Sequence, residues 1–324
     1  MKRLSLGIIG VGHLGEIHTR LAKQIDLVQL IGIYDTNLKR AEEISKKYEV
    51  SLFRSLEELL DKVEAVSIVV PTESHFEVAK LALEKNKHVF IEKPITSSSE
   101  QAEQLIKIAK EKRLKIQVGH IERFNPAFLA LKAFELEPLF IEGHRLSKFN
   151  PRGTDVSVIF DLMIHDIDLV LQLVPYPIKS IDACGVKVVS ESEDIANARI
   201  VFENGSVANL TASRISLKDM RKLRLFQRHS YISIDFLNKK TELFILKDGN
   251  NVPEGGIPFQ IGPEDNRKEI VYFSPAGGDI NPLKEELFLF AKAVLEDRKV
   301  PVDAEQGLKN LKVAEQIVEQ LRHP

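Results

Sequence analysis

The segment FDLMIHDIDLVLQLV, residues 160–174, sets one histidine and three aspartates inside one of the most apolar runs of the chain. At helical spacing Asp161, His165 and Asp168 stand at i, i+4 and i+7, on one side of a helix. Leu162, Met163, Ile164, Ile167, Leu169, Val170 and Leu171 cover most of the rest. An unpaired buried polar group costs about 1–3 kcal/mol, so the stripe must face a metal, a substrate, a cavity or other side chains. A histidine, with an ordinary pKa of about 6.5, can take a proton near neutral pH. Asp161 on its other ring nitrogen would fix the tautomer and stabilise the imidazolium. One metal gripping the whole stripe is disfavoured, because i to i+7 spans about 10 Å of helix. Asp166 and Asp168 read instead as caps, as arginine partners or as lining of a cleft. On this helix alone, a satisfied core histidine is the favoured reading of His165.

A second group lies near the start. GIIGVGHLGEIH carries Gly10, Gly12 and Gly15 as G-x-G-x-x-G, with His13 and Leu14 between them, directly after a strand pattern and opening a helix. Such glycines permit a tight turn and close backbone approach, so that a pyrophosphate can sit on the helix N-terminus. LVQLIGIYD ends in Asp35, 20 residues beyond Gly15, where a carboxylate would accept from adenosine ribose hydroxyls and repel a 2'-phosphate. The pattern points to NAD, while Lys39 and Arg40 keep NADP open; a sheet binding FAD, an S-adenosyl group or no dinucleotide is the competing reading. Val70, Pro71, Thr72 and His75 follow one later strand, and Glu92, Lys93 and Pro94 follow the next, both at the ligand side of such a sheet. Taken singly, Thr72 suits a helix cap and His75 a solvent-facing helix position. Lys93 could set positive charge beside a developing alkoxide, or serve as the base if burial lowers its pKa.

The elements that must position these residues follow from periodicity. RLSLGIIG, LVQLIGIYD, AVSIVVP, KHVFIEKP and KIQVGH read as strands, alternating with helices near 13–25, 37–48, 74–85 and 98–112. That rhythm is a doubly wound parallel sheet. After ERFNPAF come a strand near 139–149, the helix above, and many strand-like runs from about 178 to 273. The expected class is α/β: an N-terminal Rossmann dinucleotide-binding domain over 1–121, then an α+β substrate-binding and oligomerisation domain over 122–324 on a largely antiparallel open sheet. Residues 247–267 read as a turn-rich loop. Two closing helices, 282–297 and 303–322, could pack back on the first domain. Arg123, Asn125, Lys148, Arg152 and Asp155 are expected to line an interdomain cleft, where the cations would suit a diphosphate. Each taken alone is more often a surface residue. KDMRKLRLFQRH, 218–229, reads as a solvated strand face.

Composition bounds the function. The 324 residues suffice for two well-packed domains. A hydrophobic share of 44%, a charged share of 28% and a net charge of -2 leave no global basic field for nucleic acid. The apolar start is broken by Gly7, Gly10, Gly12 and His13, unlike a signal peptide. No run approaches the ~18 apolar residues of a membrane helix. The single Cys184 excludes an intrachain disulfide. These features fit a cytoplasmic enzyme or binding protein acting on a small molecule, with neither nucleic acid, membrane nor metal as partner.

With FIEKP added to IIGVGHLGEIH and PTESHFEVAKLALEKNKHV, the chain resembles the Gfo/Idh/MocA family of nicotinamide-dependent dehydrogenases nearly end to end. The likeness includes the D-x-x-x-H of Asp161 and His165 and the closing PLKEELFLFAKAVLEDRKVPVDAEQGLKNLKVAEQIVEQL. It implies that Glu92 lies near the nicotinamide ribose, that Lys93 touches the reacting hydroxyl, and that Asp161 and His165 handle the proton. It also implies a cis peptide before Pro94, and a homodimer or homotetramer built on the open face of the second-domain sheet. One departure is local: many members have a glycine-rich turn before the D-x-x-x-H helix, whereas RGTDVSVIFDLMIH has only Gly153. The pocket wall is therefore expected to differ from that of the sugar and inositol dehydrogenases. GHIERFNPAF with DLMIHDIDLV resembles the members that oxidise C3 of UDP-N-acetylglucosamine to a 3-keto nucleotide sugar ahead of transamination. The expected activity is thus NAD-dependent oxidation of a sugar hydroxyl. A dehydrogenase of a free sugar, inositol or other polyol, and a non-catalytic dinucleotide sensor, are the alternatives.

Overall fold

Residues 2–150, 156–247 and 252–322 are described by a computed structural model. The chain divides into one unit of Met1–Ile121 with Asn281–Lys312 and a second of Glu122–Ile280 with Val313–Pro324. In the first, six parallel strands, β1 (Leu4–Ile9), β2 (Val28–Tyr34), β3 (Ser51–Leu52), β4 (Ala65–Ile68), β5 (His88–Glu92) and β6 (Ile116–Gly119), run in the order β3-β2-β1-β4-β5-β6. The crossovers hold α1 (His13–Ala22), α2 (Leu38–Tyr48), α3 (Leu56–Leu60), α4 (Thr72–Glu84) and α5 (Ser99–Glu111). The strands are near-continuous apolar runs because helices cover both faces; every residue of β4 and β6 is buried. Asn37, Ser55 and Ser98 start α2, α3 and α5 by accepting from the N–H of Arg40, Glu58 and Gln101. Strand order reverses between β1 and β4, which makes their carboxyl ends the ligand side. The short α3 and β3 had no periodic run long enough to announce them.

The second unit is a nine-stranded sheet of β7 (Phe140–Leu146), β8 (Ile178–Val186), β9 (Ile195–Phe202), β10 (Val207–Ser213), β11 (Met220–Gln227), β12 (Ser230–Asp235), β13 (Lys240–Leu246), β14 (Ile257–Ile261) and β15 (Lys268–Phe273). Its order is β14-β15-β13-β12-β11-β7-β10-β9-β8, and only the β7–β10 pair is parallel. Alternation is strict in β9, and in β10 as far as Ala212. Ala196, Ala198, Ile200 and Phe202, with Ala208, Leu210 and Ala212, enter a core that also takes residues of α6 (Pro126–Leu129) and α7 (Ile164–Leu173). The opposite face carries an aromatic ladder: Phe140–Phe226 at 5.7 Å, Phe226–Tyr231 at 5.0 Å, Tyr231–Phe244 at 5.5 Å and Phe244–Tyr272 at 5.2 Å between ring centres. On β11 the basic run is solvated and paired: Arg224 bonds Glu142 at 2.9 Å, and Lys222 lies 3.3 Å from Asp235.

The loop expected over 247–267 is corrected in part, since Ile257–Ile261 forms β14, antiparallel to β15. All five residues are exposed and Pro258 offers no donor, so neither burial nor alternation marked an edge strand framed by Gly255, Gly256 and Gly262. Two helices complete the chain. α8 (Pro282–Leu295) puts Leu283, Leu287, Phe290 and Ala291 into the core of the first unit with Leu4, Ile8 and Phe90. α9 (Ala304–Arg322) belongs to the first unit as far as Lys312, and its Val313, Ala314 and Ile317 join the core of the second. Among the described residues, no helix is long and apolar enough to cross a membrane.

Candidate active site

The loop from β1 into α1 is built on three glycines, and two of them tolerate no substitute. Gly10 has φ 86°, and a Cβ there would come within 2.5 Å of the Val69 carbonyl oxygen; one on Gly15 would come within 1.9 Å of the Gly10 oxygen. Gly12 differs, because a Cβ at that position meets no protein atom within 4 Å. It precedes an α1 N-terminus that has no side-chain cap, and His13 and Leu14 beside it are exposed. Asp35 at the end of β2 accepts from the Val11 N–H through Oδ2 and from the Asn37 N–H through Oδ1, both at 2.7 Å. Gly10, Gly12, Asp35, Val70 and Pro71 share one pocket of about 230 Å³. Tyr34, Thr36, Val69 and Ser74 also line it and were not anticipated. An open backbone cradle, an uncapped helix N-terminus and a fixed carboxylate fit an adenosine diphosphate moiety. Gly12→Ala is therefore expected to keep the thermal midpoint while weakening NADH binding at least about tenfold, because only the ligand would resist the methyl. Titration calorimetry checks it, and wild-type affinity rejects the cradle.

Thr72 opens α4 behind Pro71, as a helix start rather than a pocket wall. His75 is not solvent-facing and does not line the pocket. It is buried, with Nδ1 at 2.8 Å from the Pro94 carbonyl and Nε2 at 3.0 Å from the Val70 carbonyl. Burial pulls its pKa down, against the two carbonyls, which favour the charged ring. Its place is therefore to tie the loop after β5 to the end of β4. That loop holds the Lys93–Pro94 cis peptide and a half-buried Lys93. The carboxylate of Glu92 accepts from His18 Nε2 at 3.0 Å, and His18 Nδ1 meets Ser67 Oγ at 2.9 Å. A side chain at Gly119 would strike that carboxylate, at 2.9 Å. His18 was missed; the signal was its place on the inner side of α1, opposite the exposed His13 and Leu14.

In the second unit the stripe of residues 160–174 divides. Ile159–Met163 is a π-helical turn and α7 begins at Ile164, so the regular helix expected from Asp161 onward does not form. Asp161 lies in the π turn and His165 at the second residue of α7, both half-buried. Asp168 is withdrawn from that side by Arg123, whose Nε and Nη2 donate at 2.7 and 2.5 Å. Asp166 is gripped by Arg145 Nε and Nη2 at 3.0 and 2.7 Å, and Arg145 Nη1 also donates to Glu122 at 2.8 Å. Arg145 is 1% exposed, and its two carboxylates raise its pKa against the cost of burial. Burial pushes the Asp166 carboxyl up, opposed by Arg145. Two forked clamps from different sides set the rotation of α7 about its axis, and with it His165.

The expected cleft residues are corrected accordingly. Arg123 is buried on Asp168; Asn125 is buried too, capping α6 through Ala127 N–H and donating to Glu122 and the Phe236 carbonyl. Neither presents free polar groups, because both satisfy buried partners. Lys148 is exposed and lies beyond the end of β7 rather than on it, with its N–H bonded to Asp219. Arg152 and Asp155 lie outside the described residues. Among the described residues, no group of three or more His, Cys, Asp or Glu is placed to hold a metal.

Asp194 supports the approach to the π turn. It accepts from the N–H groups of Val188, Val189 and Ser190 at 2.8, 2.6 and 2.9 Å, while the neighbouring Glu193 carbonyl accepts from Val158 N–H. Burial would raise its pKa, but those donors hold it well below the usual carboxylate range. A depressed folded pKa contributes stability above the unfolded value of about 3.9 and loses it as pH falls. Asp194→Ala should cost about 2 kcal/mol at pH 7, and the gap to wild type in urea denaturation should shrink below about pH 4. A gap independent of pH would refute the ionised anchor.

With its glycine loop at the switch point of the sheet, the first unit is a dinucleotide-binding Rossmann domain. Comparison with known proteins agrees. Residues 4–120 match the oxidoreductase family with an NAD-binding Rossmann fold, and residues 137–228 match the GFO/IDH/MocA C-terminal domain. The chain is 37% identical over 318 residues, covering 98% of itself and 97% of the relative, to UDP-N-acetylglucosamine 3-dehydrogenase of Acidithiobacillus ferrooxidans. A solved structure of that enzyme superposes with a TM-score of 0.89 at 35% identity, covering 99% of this chain and 98% of that one. The scyllo-inositol 2-dehydrogenase (NAD(+)) of Bacillus subtilis is 28% identical over 64% of this chain and 67% of its own. The chain belongs to the Gfo/Idh/MocA oxidoreductase family. It is an NAD(P)-dependent dehydrogenase acting on CH–OH groups, with NAD as its cofactor.

Proposed function

We propose that the protein oxidises C3 of UDP-N-acetylglucosamine, or of a closely related UDP-sugar, to the ketone. The observation that carries this reading is the 37% identity to a UDP-N-acetylglucosamine 3-dehydrogenase, which extends over 98% of the chain and so through both units. Bound NAD supplies the hydride acceptor. In this reading His165 takes the hydroxyl proton, and Asp161 stabilises the imidazolium that results. Lys93 sets its ammonium beside the oxygen as negative charge develops, and Glu92 faces the nicotinamide ribose from its bond to His18. The test is absorbance at 340 nm when the protein meets NAD and a panel of UDP-sugars, with mass spectrometry of the product. A 3-keto UDP-N-acetylhexosamine is expected. Turnover of free sugars or inositols but of no UDP-hexosamine overturns the substrate, and cofactor binding without any turnover favours a sensor.

We further propose a homo-oligomer in which the uncovered sheet face meets a second copy. The aromatic ladder across β7, β11, β12, β13 and β15 supports it, because a symmetric contact sets one such patch against itself. Phe226→Glu with Phe244→Glu should lower the mass measured by light scattering to that of one chain. An unchanged assembly would remove this face from consideration.

A further inference from the structure

Arg40, on the first turn of α2, donates through Nε to the Val11 carbonyl at 3.1 Å. The N–H of the same Val11 is bonded to Asp35, so guanidinium and carboxylate grip one residue from its two polar groups. The remaining nitrogens of Arg40 are also engaged, Nη2 with Glu16 at 2.5 Å and Nη1 with Glu43 at 3.4 Å. Glu16, on the first turn of α1, is anchored in turn by Lys47 Nζ at 2.7 Å and the Tyr48 hydroxyl at 3.0 Å.

A 2'-phosphate on the adenosine ribose is recognised by a cation beside the end of the second strand, and a guanidinium fork suits it well. Arg40 stands there but is held. We propose that Glu16 is a cofactor-specificity residue that sequesters Arg40, so that NADP is refused twice: by repulsion from Asp35 and by the withholding of the nearby guanidinium. The hydrogen bonds from Lys47, Arg40 and Tyr48 hold Glu16 down to about 2, against burial, so the lock stays charged at any working pH. Discrimination between the two dinucleotides is independent of which hydroxyl is oxidised.

A purely structural clip between α1 and α2 would affect both dinucleotides alike, which gives the discriminating measurement. Dissociation constants for NADH and NADPH are measured by titration calorimetry, without substrate, on wild type, Asp35→Ser, the double variant with Glu16→Gln, and the triple variant that adds Arg40→Met. Thermal midpoints accompany each. Asp35→Ser should gain some NADPH affinity. Glu16→Gln should add about a further tenfold with NADH changed less than about threefold, and Arg40→Met should erase that increment. Glu16→Ala carries the same prediction, in case the Gln carbonyl retains the guanidinium or the first double variant folds poorly. No increment from either Glu16 variant, or an increment that survives Arg40→Met, overturns the proposal.

Discussion

His165→Asn is expected to lower kcat by about 10²- to 10⁴-fold while the NADH dissociation constant stays within about threefold of wild type. Asparagine keeps the polarity and approximate size of the ring but cannot accept a proton and hold it as a cation. The acid limb of the pH profile should disappear with the group that titrates it. On the proposed roles, Lys93→Met should reduce kcat by a comparable factor and retain that limb, because the charge beside the oxygen is lost while His165 is still there to take the proton. Steady-state kinetics over about pH 5–10 on the substrate that turns over decides between them. An unchanged kcat in His165→Asn, or loss of the acid limb in Lys93→Met alone, would move the role of base to Lys93. A variant impaired only in NADH affinity would mark its residue as a cofactor contact.

The largest stability effect should come from Arg145→Met. Its guanidinium serves Asp166 and Glu122 at once, all three buried, and methionine fills much of the volume while leaving both carboxylates without that cation. Removing one partner of a buried pair costs about 3–5 kcal/mol, since the surviving charge has no water to return to. Arg221, 3.8 Å from Glu122, relieves part of it. Carboxyls stranded this way have native pKa values above their unfolded ones, so the variant's native state takes up protons. Its deficit in urea denaturation should therefore narrow as pH falls from about 8 to about 5. A deficit under about 1 kcal/mol would show that the network contributes little net stability. Because the same clamps set the rotation of α7, kcat should fall in the variant even where it remains folded.

His18 and His75 show why local pattern missed one residue and mistook the surroundings of another. Both sit on amphipathic helices, where a histidine reads equally well as a surface or a core residue. Only the partners decide: Ser67 and Glu92 for the one, the Val70 and Pro94 carbonyls for the other, each from a different strand end. The burial of Arg123 and Asn125 was hidden for a related reason. A polar residue in a loop is usually solvated, and nothing within ERFNPAF shows that Asp168, 45 residues on, will draw the guanidinium inside. The π turn at Ile159–Met163 was equally hidden, since an extra residue in a turn leaves the apolar pattern of the following helix intact.

By itself the sequence determined the parts that depend on neighbours along the chain: the strand–glycine–helix loop of Gly10, Gly12 and Gly15, the carboxylate ending β2, the alternation of the open sheet, and the family. Those are properties of backbone sterics and of periods 2 and 3.6, which act over a few residues. The tertiary structure alone decided which charges are spent on the fold. Five carboxylates and three arginines, Glu16, Asp35, Glu122, Asp166, Asp168, Arg40, Arg123 and Arg145, look alike in sequence. Glu122, Asp166, Asp168, Arg123 and Arg145 are buried and Glu16, Asp35 and Arg40 partly so, and each takes its partner wherever the fold supplies one, a choice made across the whole unit.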